Sequence, residues 1–142
     1  MEKLIINMDY VGILIEREDG KMLFQLRDNN PTIKNKNLWS LFGGGIKTGE
    51  KPVEAAIREL KEELGIKIKE RQLCSWMVFP GFRKKSYLFK LQLNKDARDL
   101  QLMEGSSLGY FSILEILKKK NIVSSLRLLL LLYPLISLIK NL

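Results

Sequence analysis

Apolar and polar positions follow different periods along the chain, and the changes of period divide it into elements. Residues 4–15 are mostly apolar, many of them β-branched, interrupted by Asn7 and Asp9, and the run ends at Glu16. Val11, Ile13 and Ile15 interleave with Gly12 and Leu14, the pattern of a strand buried on both faces. Glu18-Asp19-Gly20-Lys21 carries a turn signal and residues 22–27 resume as a strand, which predicts a hairpin. Residues 28–37 are polar and rich in breakers, hence a loop. Residues 38–42 form a short strand, in which Trp39 is expected in the core rather than on a base-stacking surface. After a helical stretch come a short extended piece at 66–70, a strand at 73–79 ended by Pro80-Gly81, and a strand at 86–93. The last of these sets Tyr87, Phe89, Leu91 and Leu93 against Leu88, Lys90 and Gln92, so one face is expected to meet the core. A loop at 94–106, a final strand at 108–111 and a helix at 113–119 follow.

The stretch 43–66, GGGIKTGEKPVEAAIRELKEELGI, is the one that the others surround. Three glycines and a turn lead to Pro52, which suits the first turn of a helix. Thr48 or Glu50 is placed to serve the helix's orphan N–H groups, and Gly65 to stop it after about four turns. At about 100° per residue Val53, Ile57, Leu60 and Leu64 share a stripe, and Glu59, Glu62 and Glu63 lie together on the other side at i, i+3 and i+4. Ala55 and Ala56 beside them leave room for something to approach. Like charges at these spacings weaken an isolated helix by a few tenths of a kcal/mol per pair, and a hard divalent cation reverses that sign. Taken alone, the three glutamates read as an ordinary solvated face.

The spacing of the whole stretch adds to this. Gly44, five residues, Glu50, seven residues, Arg58-Glu59-Leu60, one residue, Glu62-Glu63, one residue, Gly65-Ile66 resembles the signature box of the Nudix hydrolase superfamily at every specified position. The resemblance is close here and elsewhere extends only to the order of elements. It implies an α/β protein, a Nudix-type α/β/α sandwich with a mixed sheet and the catalytic loop–helix–loop on one face. It also implies that Glu59, Glu62 and Glu63 bind divalent metal, Mg²⁺ or alternatively Mn²⁺, with the Gly43 carbonyl as a further ligand. Glu50 and Arg58 correspond to the pair that ties loop to helix and orients the carboxylates. Gly44 and Gly65 are structural positions of the box. Arg27 corresponds to a basic residue that meets substrate phosphate, and Glu104 to a further metal ligand or general base, alongside Glu62 and Glu63 as candidates for the base. Pro80 lies where relatives acting on ADP-ribose carry a proline. Phe42 stands where many relatives have proline and a substantial group has an aromatic residue. The implied reaction is Mg²⁺-dependent hydrolysis of a pyrophosphate bond in a nucleoside diphosphate linked to another group, nucleoside triphosphates included. Two alternatives stay open: a pyrophosphohydrolase for RNA 5′ ends or dinucleoside polyphosphates, and a non-catalytic nucleotide-binding module.

Composition narrows the chemistry. The chain has 142 residues, the size of one domain spanning 1–142, with 46% hydrophobic and 28% charged residues. It contains no histidine and a single cysteine, Cys74, which excludes an internal disulfide, disfavours structural zinc and removes histidine-based nucleophilic triads. The formal charge of +8 points to an anionic partner, polyphosphate first and RNA second. The basic run Arg83-Lys84-Lys85 is expected as a solvated turn, with attraction of polyphosphate as the alternative reading. The opening residues show no secretory pattern, so cytoplasm is the expected compartment. Residues 122–139, interrupted by Arg127 and Pro134, are too short and too broken to span a membrane. They are expected as a packed terminal helix, with a homodimer interface as the next reading. Contacts to base, sugar and leaving group are expected in loops 28–37, 80–85 and 94–106.

Overall fold

The computed structural model describes residues 8–33, 35–80 and 84–141. The expected strand positions 4–7, Lys34 of the polar loop, and Gly81 and Arg83 of the 80–85 loop lie outside them.

Seven strands make one mixed sheet: β1 (Tyr10–Glu16), β2 (Met22–Leu26), β3 (Trp39–Ser40), β4 (Phe42–Gly45), β5 (Leu73–Pro80), β6 (Lys85–Gln92) and β7 (Ser107–Phe111). The main order is β3-β2-β1-β6-β5, with β4 also on β1 and β7 on β2. β1 lies parallel to β6 along its whole length, Tyr10 opposite Ser86 and Glu16 opposite Gln92, and every other pairing is antiparallel. One edge of β1 is divided. Its last residues, Ile15 and Glu16, face β2, and its first four face β4. The hairpin is present, its turn closed by Arg17 N–H to Lys21 O at 2.8 Å.

Among the described residues three α-helices cover the sheet: α1 (Pro52–Leu64), α2 (Ile113–Leu117) and α3 (Ser124–Lys140). On one side Ala55, Ala56, Leu60 and Leu64 of α1 pack on Val11, Ile13, Leu23, Phe89 and Leu91. On the other, Ile116 and Leu126, Leu129 and Leu130 pack on Leu14, Phe24, Trp39, Trp76 and Leu88. The α/β/α sandwich expected from the sequence is therefore the observed fold. Covering on both sides explains a correction in β6. Leu88 was expected to face away from the core, and it is buried under α3, while Phe89 and Leu91 are buried under α1. Trp39 is core, edge-on to Phe111 at 5.1 Å between ring centres.

Boundaries differ at several points. Gly43–Gly45, expected as loop, are the strand β4, because their small residues can lie against β1 where Gly43 opposes Gly12. A Cβ on Gly43, whose φ is 148°, would come within 2.0 Å of the Val11 carbonyl. β5 continues through Pro80, which pairs with Lys85. The N-cap of α1 is Lys51, whose N–H donates to Glu54 Oε2 at 3.2 Å, and neither Thr48 nor Glu50 caps it. Gly65, at φ 65°, ends the helix through its N–H to Lys61 O at 3.0 Å. α3 runs through Pro134 without a break. Among the described residues no helix is long and apolar enough to cross a membrane.

Candidate active site

The chemistry-bearing residues gather where the N-terminal end of β1, β4 and α1 meet. The buried face of α1 is rotated from the stripe expected. Leu60 and Leu64 are buried, Val53 and Ile57 only half-buried, and Ala55, Ala56, Glu59 and Glu63 complete the inward face. The two alanines do not leave an opening. They are fully buried, and their small side chains let the helix lie close on the sheet. Their consequence is to carry two of the three glutamates inside.

Glu63 is 3% exposed. Its Oε2 accepts from the Gly43 N–H at 3.1 Å and from the Gln25 side-chain amide at 3.4 Å. The same Gln25 amide nitrogen donates to the Leu41 carbonyl at 3.2 Å. Burial first, then the charge of Glu59, push the Glu63 carboxyl up to about 8. Glu59 is also raised by burial, with Arg58 opposing the shift. Its carboxylate lies over Gly44, where a Cβ would meet Glu59 Oε1 at 2.3 Å. Gly44 is therefore a cradle that any side chain would fill.

Arg58 organises the outer side. Its Nε and Nη2 grip both oxygens of Glu50 at 2.8 and 2.9 Å, and Nη2 also donates to the Gly45 carbonyl at 2.9 Å. Nη1 reaches Glu59 at 2.9 Å and Glu62 at 3.3 Å. All five guanidinium N–H donors thus have protein partners, and Arg58 ties the turn before α1 to two of its carboxylates. The Arg58 guanidinium beside Glu50 holds that carboxyl down at about 2.

A cleft of about 760 Å³ opens beside this cluster. Glu59, Glu63, Gly43, Gly44, Arg27 and Glu104 all line it. Glu104 reaches it because the Met103 N–H donates to the Glu63 carbonyl at 2.8 Å, which pins the 94–106 loop to the end of α1. The Glu104 charge contributes to the upward shifts of Glu59 and Glu63. Lys84 lines the cleft too. Glu62, Arg58, Glu50 and Gly65 are not among its lining residues. Glu62 lies on the exposed flank of α1, held by Arg58. As the side chains stand, no three acidic groups among the described residues are close enough together to hold a metal ion.

Three site residues escaped the sequence reading. Gln25 is a buried amide in an otherwise apolar strand, a signal visible in MLFQL but ambiguous without the fold. Tyr10 lines the cleft, and burial with the Glu63 charge raises its phenol. Ser40 is 8% exposed and lines the cleft, and its hydroxyl is the one buried side-chain polar atom among the described residues without a hydrogen-bond partner.

A mixed sheet between helical layers, with buried carboxylates from one helix set over a glycine strand at the mouth of a cleft, defines the class of α/β/α sandwiches with an acidic site at one end of the sheet. Comparison with known proteins makes this specific. The NUDIX domain family matches residues 7–131, and the chain belongs to that family. It is 31% identical over 74 residues to the nucleoside triphosphatase NudI of Escherichia coli O139:H28, a match covering 52% of this chain and 51% of that protein. The chain thus spans about half the length of the curated relatives it matches. Among solved structures it resembles DR0079 from Deinococcus radiodurans, with a TM-score of 0.74 at 16% identity, covering 87% of this chain and 80% of that one. It also resembles the MutT protein from Methanosarcina mazei Go1, with a TM-score of 0.68 at 23% identity, covering 89% and 92%. These two likenesses concern the fold.

Proposed function

We propose that the protein is a metal-dependent pyrophosphohydrolase that cleaves the P–O–P bond of a nucleoside diphosphate linked to a further group, nucleoside triphosphates included. The observation that carries this reading is that Glu59, Glu63 and Glu104 face one cleft together with Arg27 and Lys84. The name of the matched relative, a nucleoside triphosphatase, supports it.

The donor set suits a hard divalent cation, Mg²⁺ or Mn²⁺. Glu63 is buried, and its protein donors among the described residues are two neutral N–H groups. Such a carboxylate gains most from a cation that prefers oxygen. Glu59, Glu63 and the Gly43 carbonyl would hold it, with Glu62 joining by a turn of its exposed side chain. When bound, the cation supplies neutralisation of phosphate charge and lowers the pKa of a water.

Residues of the chain do the rest. Arg27 and Lys84 bind non-bridging phosphate oxygens and set the diphosphate in the cleft. Glu104 accepts the proton of the attacking water as its oxygen bonds to phosphorus and the P–O–P bond breaks. The bridging oxygen leaves with the second phosphate. Arg58 is a positioning residue rather than a catalytic one, since its donors are occupied by Glu50, Gly45, Glu59 and Glu62.

The test is phosphate or pyrophosphate release from a panel of nucleotides and nucleotide derivatives, with and without Mg²⁺. Release is expected only with the metal, and E59Q/E63Q should lower kcat at least a hundredfold while circular dichroism stays the same. Full activity in that double variant overturns the reading. The net charge of +8 favours an RNA 5′ end as a second substrate, and binding of 5′-triphosphorylated RNA that weakens steeply with salt supports that arm.

A further inference from the structure

The cleft that holds the acidic cluster has a second wall. α3 lies along it, and Leu126, Leu128, Leu129 and Leu132 line it, with Phe79 and Leu88 from β5 and β6 also on the lining. Leu126 and Leu129 are buried, but Leu128 is 59% and Leu132 43% exposed. Large aliphatic side chains left open along a cleft that also carries the acidic cluster are what an apolar part of a ligand would remove from water.

α3 is not free to turn these leucines inward. Its other face is fixed. Leu130 is fully buried, and the Tyr133 hydroxyl donates to Glu16 Oε1 at 2.5 Å while accepting from the Lys90 ammonium at 2.9 Å. Arg127 donates to the Leu117 and Lys119 carbonyls at 2.9 and 2.6 Å, and the Lys140 ammonium meets the Trp76 carbonyl. Leu128 and Leu132 are therefore held outward by the fold. Leu135 and Ile139 are also exposed, and they continue the same line at i+7 and i+11 from Leu128.

From this geometry we infer that the group on the α3 side of the substrate's diphosphate is an aliphatic chain, seated on Leu128, Leu129 and Leu132. The inference rests on the diphosphate chemistry proposed above and names the class of the linked group. A nucleobase fits this wall poorly. Its ring edge carries donors and acceptors that would be desolvated against leucines, and Ser125 is the one polar residue that α3 contributes to the lining. A saturated chain carries no such groups, and every methylene laid on the wall gains affinity, roughly fourfold for full burial.

The experiment compares methyl, hexyl and decyl diphosphate with the nucleotide panel, in Mg²⁺, for the parent, L128S/L132S and L138S. Leu138 is exposed on α3 but lies off the cleft lining, and serves as the control. Binding of decyl methylenebisphosphonate, which cannot be hydrolysed at its bridge, is measured in parallel by calorimetry. Expected is a rise in kcat/KM of at least tenfold from methyl to decyl in the parent and in L138S. In L128S/L132S that gradient should flatten, with at least tenfold weaker binding of the bisphosphonate. Nucleotide turnover with no chain-length gradient overturns the aliphatic assignment and leaves the hydrolase reading standing. Binding of the decyl bisphosphonate that L128S/L132S weakens and L138S does not, without turnover of any substrate, supports the seat and overturns the hydrolase reading. A dimer in sedimentation that L128S/L132S dissociates, with no chain-length gradient, overturns the assignment in favour of a second copy on the wall.

Discussion

Arg58 and Glu50 show how much one charged pair can organise. The pair is bidentate, and Glu50 is held at about 2 against an ordinary 4.5. A carboxyl depressed in the folded state contributes stability above its unfolded value and loses it as pH falls from about 4.5 towards 2. E50Q should therefore unfold more easily than the parent at pH 7, and its thermal midpoint should fall less steeply on acidification, a difference that a pH series of melting curves measures. Glu63 runs the other way. Raised to about 8, it stabilises fully below 4.5, and that contribution is lost as pH rises through 8. In EDTA, E63Q should melt above the parent at pH 9, with the gap closing by pH 4. Ser40 yields a third expectation. An unpartnered buried hydroxyl is a cost, so S40A should raise the stability of the ligand-free protein by about 1 kcal/mol in urea titrations. The glutamates and Arg58 were singled out by the resemblance of the whole stretch 44–66, since spacing within the helix alone reads as a solvated face. Gln25, Tyr10 and Ser40 were not, because a single polar residue in a strand does not reveal which neighbour its side chain meets.

At the scale of elements, β4 and α1 act as one device. Gly43 and Gly44 are adjacent but answer to different obstacles. A Cβ at Gly43 strikes the Val11 backbone, and one at Gly44 strikes the end of the Glu59 side chain. G43A should therefore cost the fold several kcal/mol. G44A should leave the melting temperature nearly unchanged, since Glu59 can swing aside, yet lower kcat at least tenfold because the carboxylate has left its place. Melting curves and kinetics on the two variants separate these effects. The helix α1, its Pro52 start and its Gly65 stop could be read from periodicity and cap chemistry. Its rotation could not, because a wheel places the apolar stripe but not the neighbouring strand, and Ala55 and Ala56 read as spacers rather than as the contact surface. The glycine strand was hidden for a related reason: glycine signals a turn in isolation and a close backbone approach only beside β1.

The whole molecule is a sheet covered twice; the order of elements alone says only that helices and strands are mixed, and the layering was an expectation of the resemblance that residues 44–66 carry. The pairing within the sheet was not visible in the sequence, and neither was the position of α3 beside the cleft. Its run of leucines states that something must cover it without saying where it lies. Binding of a cation to the folded state alone raises stability by mass action. Mg²⁺ should therefore raise the parent's melting temperature in a concentration-dependent way and leave E59Q/E63Q unmoved, as scanning calorimetry would show.

The parallel partnership of β1 with β6 also bears on how the protein comes into being. Residues 17–84 separate the two strands, so a chain still emerging from the ribosome carries β1, the hairpin and α1 before Lys85–Gln92 exists to close the far side of β1. Until then Phe89 and Leu91 are missing from beneath α1, and the helix has only part of its bed. The other face of the sheet waits longer still, for Leu126, Leu129 and Leu130, so a chain under synthesis keeps apolar surface open until both layers have been made.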